Sequence, residues 1–470
     1  MRSLVTAAAL CAAAVTAGCT SSGSGPAPGP SPTPPASAAL SSSSGPPTAR
    51  TTAPASDVSD WPTYHRTFDR AGIAPDLPRV TRAPTVLATI KLDGQVYSSP
   101  VIVDGIVVAA TENDTVYALS PEGRQIWKRN LGAPSPAGER PCGNIDPLGI
   151  TGTPVIFGGT IYVAPEFRGT RHELYALDLD TGAVRWHRTL DLPGVEAGAM
   201  QERGALTIAG GRVWVPFGGL AGDCGGYKGR VVGYPTDGRG APVSYTVPTE
   251  REAGIWAPPG PSVDGSGNLL VAVGNGASVE NDPYDHSDSV LRIGTDGALV
   301  DSFSPATWPT DNVNDHDLGS QGPAIVGPWI FIAGKSGTGY VLRSDHLGGI
   351  GGEVSQATIC ESYGGTAVVR AVVYVPCADG VRAVRIDKSG QLHVLWHVRS
   401  SSVSGSPIVG GGRVWSLDPD AGVLHALDPR TGLSREQVQV GATSRFAAPA
   451  AYGSDVVVPT MTGITVVGVG

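Results

Sequence analysis

A unit of about 50 residues recurs along this chain, and this recurrence restricts the possible folds more than any other feature. The clearest copy begins at Ser98 and reads SSPVIVDGIVVAATENDTVYALSPEGRQIWKRNLG. It contains four short apolar runs, separated by an Asp-Gly turn, a polar loop and a second glycine turn. This pattern is typical of four antiparallel strands joined by hairpins. Each copy therefore predicts one four-stranded sheet.

Seven further copies follow, some with a looser match, and they begin at Thr153, Gly204, Gly260, Gly322, Gly364, Gly405 and Ala447. Repeats of ~40–50 residues with four strands each indicate a β-propeller. The last copy stops one strand short, and the apolar residues 84–92 can supply the missing strand. We predict an all-β, eight-bladed β-propeller of four-stranded antiparallel blades, closed by an N-terminal strand. An array of β-sandwiches is disfavoured because no linker-like break separates the copies.

The composition agrees with a turn-rich β protein and argues against one class of partner. The chain contains 65 glycines and 40 prolines in 470 residues, and only 16% of its residues are charged. Its formal net charge is −9, and its few lysines form no run. We therefore expect no nucleic-acid partner, whereas binding of a cation is permitted.

The start of the chain has the features of an export signal. Residues 4–18 are uncharged and small or apolar, which is long enough for a signal peptide and too short for a membrane span. They end immediately before Cys19 in a sequence that resembles a bacterial lipobox, although Thr16 stands where such signals usually carry leucine. We expect residues 1–18 to be a lipoprotein signal peptide and Cys19 to carry the lipid. An ordinary secretory peptide is the alternative.

The segment that follows Cys19 predicts a spacer. In residues 20–57, 35 of 38 positions are Ser, Thr, Gly, Pro or Ala, so no core can form there. We therefore divide the chain into the signal at 1–18, Cys19 with a disordered tether at 19–57, and the propeller at 58–470. This order predicts a protein outside the cytoplasm, either lipid-anchored at the cell membrane or secreted.

Four cysteines remain beyond the tether, namely Cys142, Cys224, Cys360 and Cys377. An even number of cysteines in an oxidising compartment predicts two disulfides, for which three connectivities are possible.

The predicted blade geometry separates the loops onto two faces. In an up-and-down blade, the loop between the second and third strands lies on the same face as the connection to the next blade. We call this the mouth face, because its loops are long and irregular, as expected where ligands bind. It should carry the four cysteines together with Asp146, Glu166, Trp256, Asn275, Asp285, Asp315, Asp317, Lys335 and Arg445.

The units SPVIVDGIVVAATENDTVYALSPEG and YALDLDTGAVRW resemble pyrroloquinoline quinone (PQQ)-type propeller repeats, and the resemblance covers nearly all of residues 61–468. That superfamily includes quinoprotein alcohol dehydrogenases, which hold PQQ and Ca²⁺ in the mouth of the propeller. It also includes an outer-membrane assembly lipoprotein and sensor domains that bind no quinone. The resemblance therefore implies the fold and leaves three kinds of function open.

Individual loops match the dehydrogenase site. The resemblance implies three calcium ligands, of which the aspartate is also the catalytic base: Glu166, Asn275 and Asp315. It implies further cofactor contacts from Lys335, which matches a basic residue beside the quinone, from Trp256, which matches the ring stacked under it, and from Asp317. Oxygen ligands from three separate loops suit Ca²⁺. Solvated loop charges, turn residues and packing are the alternatives for these positions.

Two features depart from the dehydrogenase pattern. That family often carries two adjacent cysteines over the cofactor, whereas only Cys142 lies in the corresponding loop here. From the shared face and proximity in sequence, we expect Cys142 to pair with Cys224, and Cys360 with Cys377. The chain also has no Cys-x-x-Cys-His haem attachment motif.

The sequence thus suggests PQQ- and calcium-dependent oxidation of an alcohol or sugar. The alternative is a non-catalytic propeller of the cell envelope that acts as a scaffold or binds a ligand or protein. In both cases we expect a monomer with a small molecule or an envelope protein at its mouth, and with membrane contact only through the lipid.

Overall fold

The computed structural model describes residues 59–191, 193–400 and 403–470, so the predictions for the signal peptide, Cys19 and the tether lie outside the described residues. The described chain forms eight antiparallel sheets with four principal strands each, as predicted. In every sheet the first, inner strand is followed by three strands stepping outward, and the outer strands are the most exposed.

The first four blades contain the strands Val101–Val103, Ile106–Ala110, Thr115–Leu119 and Gln125–Asn130 (blade 1); Val155–Phe157, Thr160–Val163, Arg171–Asp178 and Val184–Thr189 (blade 2); Thr207–Ala209, Arg212–Gly219, Arg230–Pro235 and Val243–Thr246 (blade 3); and Ser262–Val263, Leu269–Val273, Ser289–Ile293 and Leu299–Ser304 (blade 4). Short additional strands join blades 2, 3 and 4 at Glu166–Phe167, Met200–Gln201 and Gly349–Ile350.

The other four contain Ala324–Val326, Trp329–Ala333, Thr338–Arg343 and Ser355–Thr358 (blade 5); Ala367–Val369, Val372–Cys377, Gly380–Ile386 and Leu392–Arg399 (blade 6); Ile408–Gly410, Arg413–Asp418, Val423–Leu427 and Ser434–Gln439 (blade 7); and Ala450–Tyr452, Asp455–Thr460, Gly463–Gly468 and Thr85–Lys91 (blade 8). One α-helix, Trp308–Asn314, and the 3₁₀ turns Ala137–Glu139, Ala197–Ala199 and Leu318–Ser320 lie in connections.

The eighth blade is completed from the other end of the chain. Thr85–Lys91 pairs antiparallel with Gly463–Gly468, with Thr89 opposite Thr465. The added strand covers an edge that would otherwise leave backbone groups unpaired. It falls within residues 84–92, the segment from which the sequence predicted the closing strand.

Apolar side chains pack mainly between neighbouring blades. One cluster, for example, joins Val108 and Val116 of blade 1 to Ile161 and Leu177 of blade 2, and all four are fully buried. Because each sheet buries both faces against its neighbours, its middle strands are apolar on successive residues. Connections between blades lie on the mouth face and lead into the inner strands. The first residue of every inner strand therefore lies close to the axis at that face.

A segment that the sequence left without a role fills the ring on the opposite side. Residues 61–74, which we call the plug, bond to the inner strands of five blades. Trp61 exchanges two backbone hydrogen bonds with Ile102 of blade 1, at 2.7 and 2.8 Å. Further backbone bonds reach blades 2, 4 and 6, and Ile73–Ala74 pairs in parallel with Ile408–Gly410 of blade 7.

The plug enters from the face opposite the mouth. Asp60 accepts a hydrogen bond from the backbone N–H of Asp104, at 3.0 Å, in the turn between the first two strands of blade 1. In the alternating strand order, turns between first and second strands all lie on the face away from the mouth. The described chain thus begins on that face.

Tryptophans of outer strands fasten neighbouring blades together. Trp127 Nε1 of blade 1 donates to the carbonyl of Leu179 in blade 2 at 2.9 Å, and its ring covers Gly182. The Gly182 backbone has φ +65°, and a Cβ there would lie 2.5 Å from the indole ring. This position therefore requires glycine both for its backbone conformation and for the close approach of the ring.

We expect Gly182→Ala to lower the free energy of unfolding by about 2 kcal/mol, because left-handed strain and the clash with Trp127 add. Chemical denaturation measures this loss. Gly211→Ala is the matched control, since Gly211 has φ +71° with open space around it and retains only the backbone strain. Equal losses in the two variants would contradict the contribution of the tryptophan contact.

Candidate functional site

Five large side chains stand shortly before the inner strand of a blade, on connections that cross the mouth face: Tyr97, Arg203, Trp256, Tyr363 and Phe446. Phe446 precedes blade 8 and Trp256 precedes blade 4, on opposite sides of the ring, yet their ring centroids are 6.1 Å apart. Such a contact requires both rings to reach the axis. Phe446 also stacks on Tyr363 with a centroid distance of 5.6 Å. Its ring therefore lies across the centre of the mouth.

Beside these rings, four of the predicted site residues form one hydrogen-bonded group, which we call the lysine cluster: Asn275, Asp315, Asp317 and Lys335. Lys335 Nζ lies 2.6 Å from Asp315 Oδ1 and 2.6 Å from Asp317 Oδ2. Asn275 Nδ2 donates to Asp315 Oδ1 at 2.7 Å, and the Asn275 backbone N–H donates to Asp317 Oδ1 at 2.7 Å. Lys335 Nζ also lies 5.9 Å from the Trp256 ring centroid.

Local structure explains how the lysine cluster forms. Asn275 follows the second strand of blade 4, and Lys335 follows the second strand of blade 5, so both occupy loops of the mouth face. The helix Trp308–Asn314, with a proline in its first turn, ends at Asp315, whose left-handed φ of 56° turns the chain back. This turn brings both aspartates to the ammonium of Lys335.

The two carboxylates of the lysine cluster stabilise the charged form of Lys335. Burial lowers the pKa of Lys335, but the adjacent Asp317 and Asp315 carboxylates outweigh that effect and hold the pKa above its ordinary value. Burial raises the pKa of Asp317 although Lys335 opposes the rise. Asp315, in contrast, keeps 68% of its side chain exposed. A ligand in the mouth can reach Asp315, whereas Asp317 mainly positions Lys335.

Glu166, the remaining predicted metal ligand, belongs to a different group of charges. Its Oε2 lies 3.2 Å from His172 Nε2, and His172 Nδ1 lies 2.8 Å from Asp191 Oδ1. Burial lowers the pKa of His172, but hydrogen bonds to Asp191 and Glu166 raise it to about 10. The imidazole is therefore a buried cation at neutral pH, and it neutralises Glu166.

These contacts test whether the residues fit the calcium ion that the resemblance implies. Asn275 Oδ1 is buried without a hydrogen-bond partner, so it is available as a ligand. Asp315, however, is already paired with Lys335, and Glu166 is paired with His172. Within residues 59–191, 193–400 and 403–470, no three His, Cys, Asp or Glu side chains are grouped to hold a metal ion. In this arrangement the set does not fit a shared calcium ion, and its metal role stays a prediction.

Two other candidates on the mouth face, Asp146 and Asp285, make hydrogen bonds within their own loops. Asp146 Oδ1 accepts from the backbone N–H of Ala137 at 2.9 Å, and Asp285 Oδ1 accepts from Ser287 Oγ at 2.5 Å. The sequence did not single out Tyr97, Arg203, Tyr363 or Phe446. Each of these four residues precedes an inner strand by four positions. Aligning the repeats on those strands is the signal that could have found them.

Both predicted disulfides are present. Cys142 bonds to Cys224, which joins the connection after blade 1 to a loop of blade 3, and Cys360 bonds to Cys377 beside blade 6. The first bond closes a loop across three blades, and both stabilise loops of the mouth face.

Comparison with known proteins agrees with this architecture. A family model described as outer membrane protein assembly factor BamB matches residues 112–234. A quinohemoprotein alcohol dehydrogenase from Pseudomonas putida HK5 superposes with a TM-score of 0.70 at 16% identity, over 88% of this chain and 80% of that chain. The chain has the fold of the PQQ-type β-propellers.

Two further solved structures of this fold resemble the chain. The quinohemoprotein alcohol dehydrogenase from Comamonas testosteroni has a TM-score of 0.68 at 16% identity, over 87% of this chain and 80% of that chain. BamB from Moraxella catarrhalis has a TM-score of 0.59 at 18% identity, over 82% of this chain and 100% of that chain. No curated protein sequence matches. In the part of the chain that the structure describes, no helix is long and apolar enough to cross a membrane.

Proposed function

We propose that this protein is a lipid-anchored, extracytoplasmic PQQ-type propeller that binds a small planar ligand at its mouth. The observation that carries the proposal is the meeting of Trp256, Phe446 and Lys335 over the axis, although they come from three different connections and loops. Aromatic faces bind flat rings, and cations beside them bind the negative groups of such ligands. PQQ is the candidate that the family resemblance supplies, because it is flat and carries carboxylates.

Calorimetric titration of the purified full-length chain with PQQ, with and without Ca²⁺, tests this proposal. We expect saturable binding that weakens at least tenfold in Trp256→Ala, because one stacking face is removed. Trp329→Ala serves as the control and should bind normally, because Trp329 begins the second strand of blade 5 on the face away from the mouth. A chain that binds no PQQ under either condition would contradict PQQ as the ligand. We expect Ca²⁺ to leave the affinity unchanged, because Glu166 and Asp315 are already paired with His172 and Lys335.

Oxidation of an alcohol or sugar is a second candidate function, and the exposed position of Asp315 favours it. Its carboxylate accepts hydrogen bonds from Asn275 and Lys335 and stays open to the mouth. Such a carboxylate can accept a proton from a bound hydroxyl, while PQQ would supply the redox chemistry. A dye-linked assay with PQQ over a panel of alcohols and sugars decides this function. Loss of turnover in Asp315→Asn with unchanged PQQ binding would support it.

A non-catalytic envelope scaffold is the remaining candidate, and the structural similarity to BamB favours it. In that case the mouth loops bind an envelope protein rather than a small molecule. Pull-down from envelope extracts should recover one partner with the native chain and lose it with Arg445→Glu, which reverses an exposed charge on the mouth.

Metabolic labelling with a fatty acid in the native chain and in Cys19→Ser tests the lipid anchor separately.

A further inference from the structure

Two arginines at the centre of the mouth lie against aromatic rings. Arg203 lies 5.4 Å and Arg445 lies 5.7 Å from the centroid of the same ring, Phe446. Arg203 also lies 5.8 Å from the Tyr97 ring, and Arg445 lies 5.2 Å from the Tyr363 ring. Among the described residues, neither guanidinium makes a hydrogen bond or an ion pair. Arginines that are withdrawn from water are usually paired with a carboxylate or phosphate, and Arg203 is half-buried.

The carboxyl groups of Glu112 and Glu202 act on the charge of Arg203 from nearby, but among the described residues neither bonds to its guanidinium. Glu112 Oε2 accepts hydrogen bonds from the Gly149 backbone N–H at 2.8 Å and from Thr151 Oγ1 at 3.1 Å. Glu202 Oε2 accepts from the Gly152 backbone N–H at 3.1 Å. Both glutamates are nearly inaccessible to solvent and are directed toward the loop that leads into blade 2. Burial also raises the pKa of both groups, that of Glu112 to about 7.

Access to Arg203 is restricted to one side. Below it, Tyr64 of the plug is buried against Ala205 and Ala448, which lie two residues before the inner strands of blades 3 and 8. Above it, Tyr97 and Phe446 belong to the mouth face, and Arg203 remains partly accessible to solvent. An anion can therefore approach this guanidinium from the mouth and not through the ring.

We propose that Arg203 and Arg445, with the rings of Tyr97, Tyr363 and Phe446, form a binding subsite for a flat dicarboxylate. Each guanidinium binds one carboxylate with two parallel hydrogen bonds, and the ligand ring stacks on the aromatic side chains. Because both arginines contact the same phenyl ring, their guanidinium carbons lie at most ~11 Å apart, so one ring system with two carboxylates can reach both. The subsite rests on the proposed function, since it opens on the same mouth.

Titration of the full-length chain at pH 6 with phthalate, an aromatic dicarboxylate, tests the subsite. We expect saturable binding that falls at least tenfold in Arg203→Gln and in Arg445→Gln. Arg343→Gln is the control, because Arg343 lies at the far end of a blade 5 strand in an exposed pair with Asp345, and it should bind as the native chain does. Arg445 is exposed, so its variant keeps the test valid if Arg203→Gln fails to fold.

Parallel titrations with benzoate and PQQ separate the possible outcomes. Weaker binding of benzoate than of phthalate supports recognition by two arginines, whereas equal affinities overturn it. PQQ binding that does not change in either arginine variant overturns the subsite and leaves the proposed function intact. Arginine-dependent phthalate binding without PQQ binding supports the subsite and refutes PQQ as the ligand. No binding of any probe overturns both.

Discussion

Replacing Arg70 with methionine should lower the free energy of unfolding by about 3 kcal/mol, because this side chain ties the plug to the ring. Arg70 is 4% exposed. Its guanidinium donates to the carbonyls of Leu206 and Pro261, at 3.0 and 3.1 Å, which precede the inner strands of blades 3 and 4. It also donates to Thr63 Oγ1 and to the Tyr64 carbonyl within the plug. Methionine keeps the apolar stem but removes the guanidinium donors, so the Pro261 carbonyl loses this partner and the Leu206 carbonyl keeps the longer bond from Thr63 Oγ1 at 3.4 Å.

Chemical denaturation followed by tryptophan fluorescence measures this loss, since Trp61 lies in the plug. Hydrogen exchange should show faster exchange at Trp61 and Ile102, whose backbone groups bond to each other. Arg79→Met provides a matched control, because Arg79 is exposed. A change below 0.5 kcal/mol in Arg70→Met, on the scale of an ordinary surface substitution, would show that the plug does not depend on this residue.

His172→Gln should cost about 3–5 kcal/mol at pH 6, because it leaves Glu166 buried without its cation. The imidazole is 1% exposed and lies between Glu166 and Asp191, at 3.2 and 2.8 Å. Glutamine can hydrogen-bond to one carboxylate but carries no positive charge. Adding Glu166→Gln should recover part of the loss, since the unpaired charge is then removed.

The effect of this substitution should depend on pH with a defined sign. The pKa of His172 in the folded protein is about 10, above the 6.5 of an ordinary histidine. The folded state therefore binds its proton more tightly, so the stabilisation is complete below pH 6.5 and is lost as pH rises through about 10. Denaturation of both proteins at pH 6, 8 and 10 should show the difference between them shrinking. His187→Gln, at an exposed pair with Glu173, should change stability by less than ~1 kcal/mol at every pH.

The repeats predicted the fold because each blade is specified locally. A four-stranded sheet needs only short apolar runs with turn residues at the correct spacing, and the copy beginning at Ser98 contains all of them. The same alternation assigned the long loops to one face, so the sequence correctly placed Asn275, Asp315, Asp317, Lys335 and Trp256 on the mouth face. Their mutual hydrogen bonds follow from that shared position.

The plug could not be predicted from any pattern within its own sequence. Residues 61–74 contain only one very short strand, and their backbone groups bond to strands up to several hundred residues away. No local pattern distinguishes Trp61 and Arg70, because their contacts form only when the ring closes around them. Phe446 is similar, because only closure of the ring brings it to Trp256 from the opposite side.

What the sequence by itself determined is the architecture: the period and composition of the repeats dictate eight sheets, the incomplete last copy requires a strand from the N-terminus, and four cysteines allow two disulfides. What only the tertiary structure decided is which charges neutralise each other. Glu166 pairs with His172, and Asp315 and Asp317 pair with Lys335, whereas Arg203 and Arg445 lie against aromatic rings and form no ion pair within the described part of the chain. The reason is physical: strand pairing depends on a periodic backbone pattern, whereas ion pairing depends on distances of a few Å between side chains that the closed ring alone brings together.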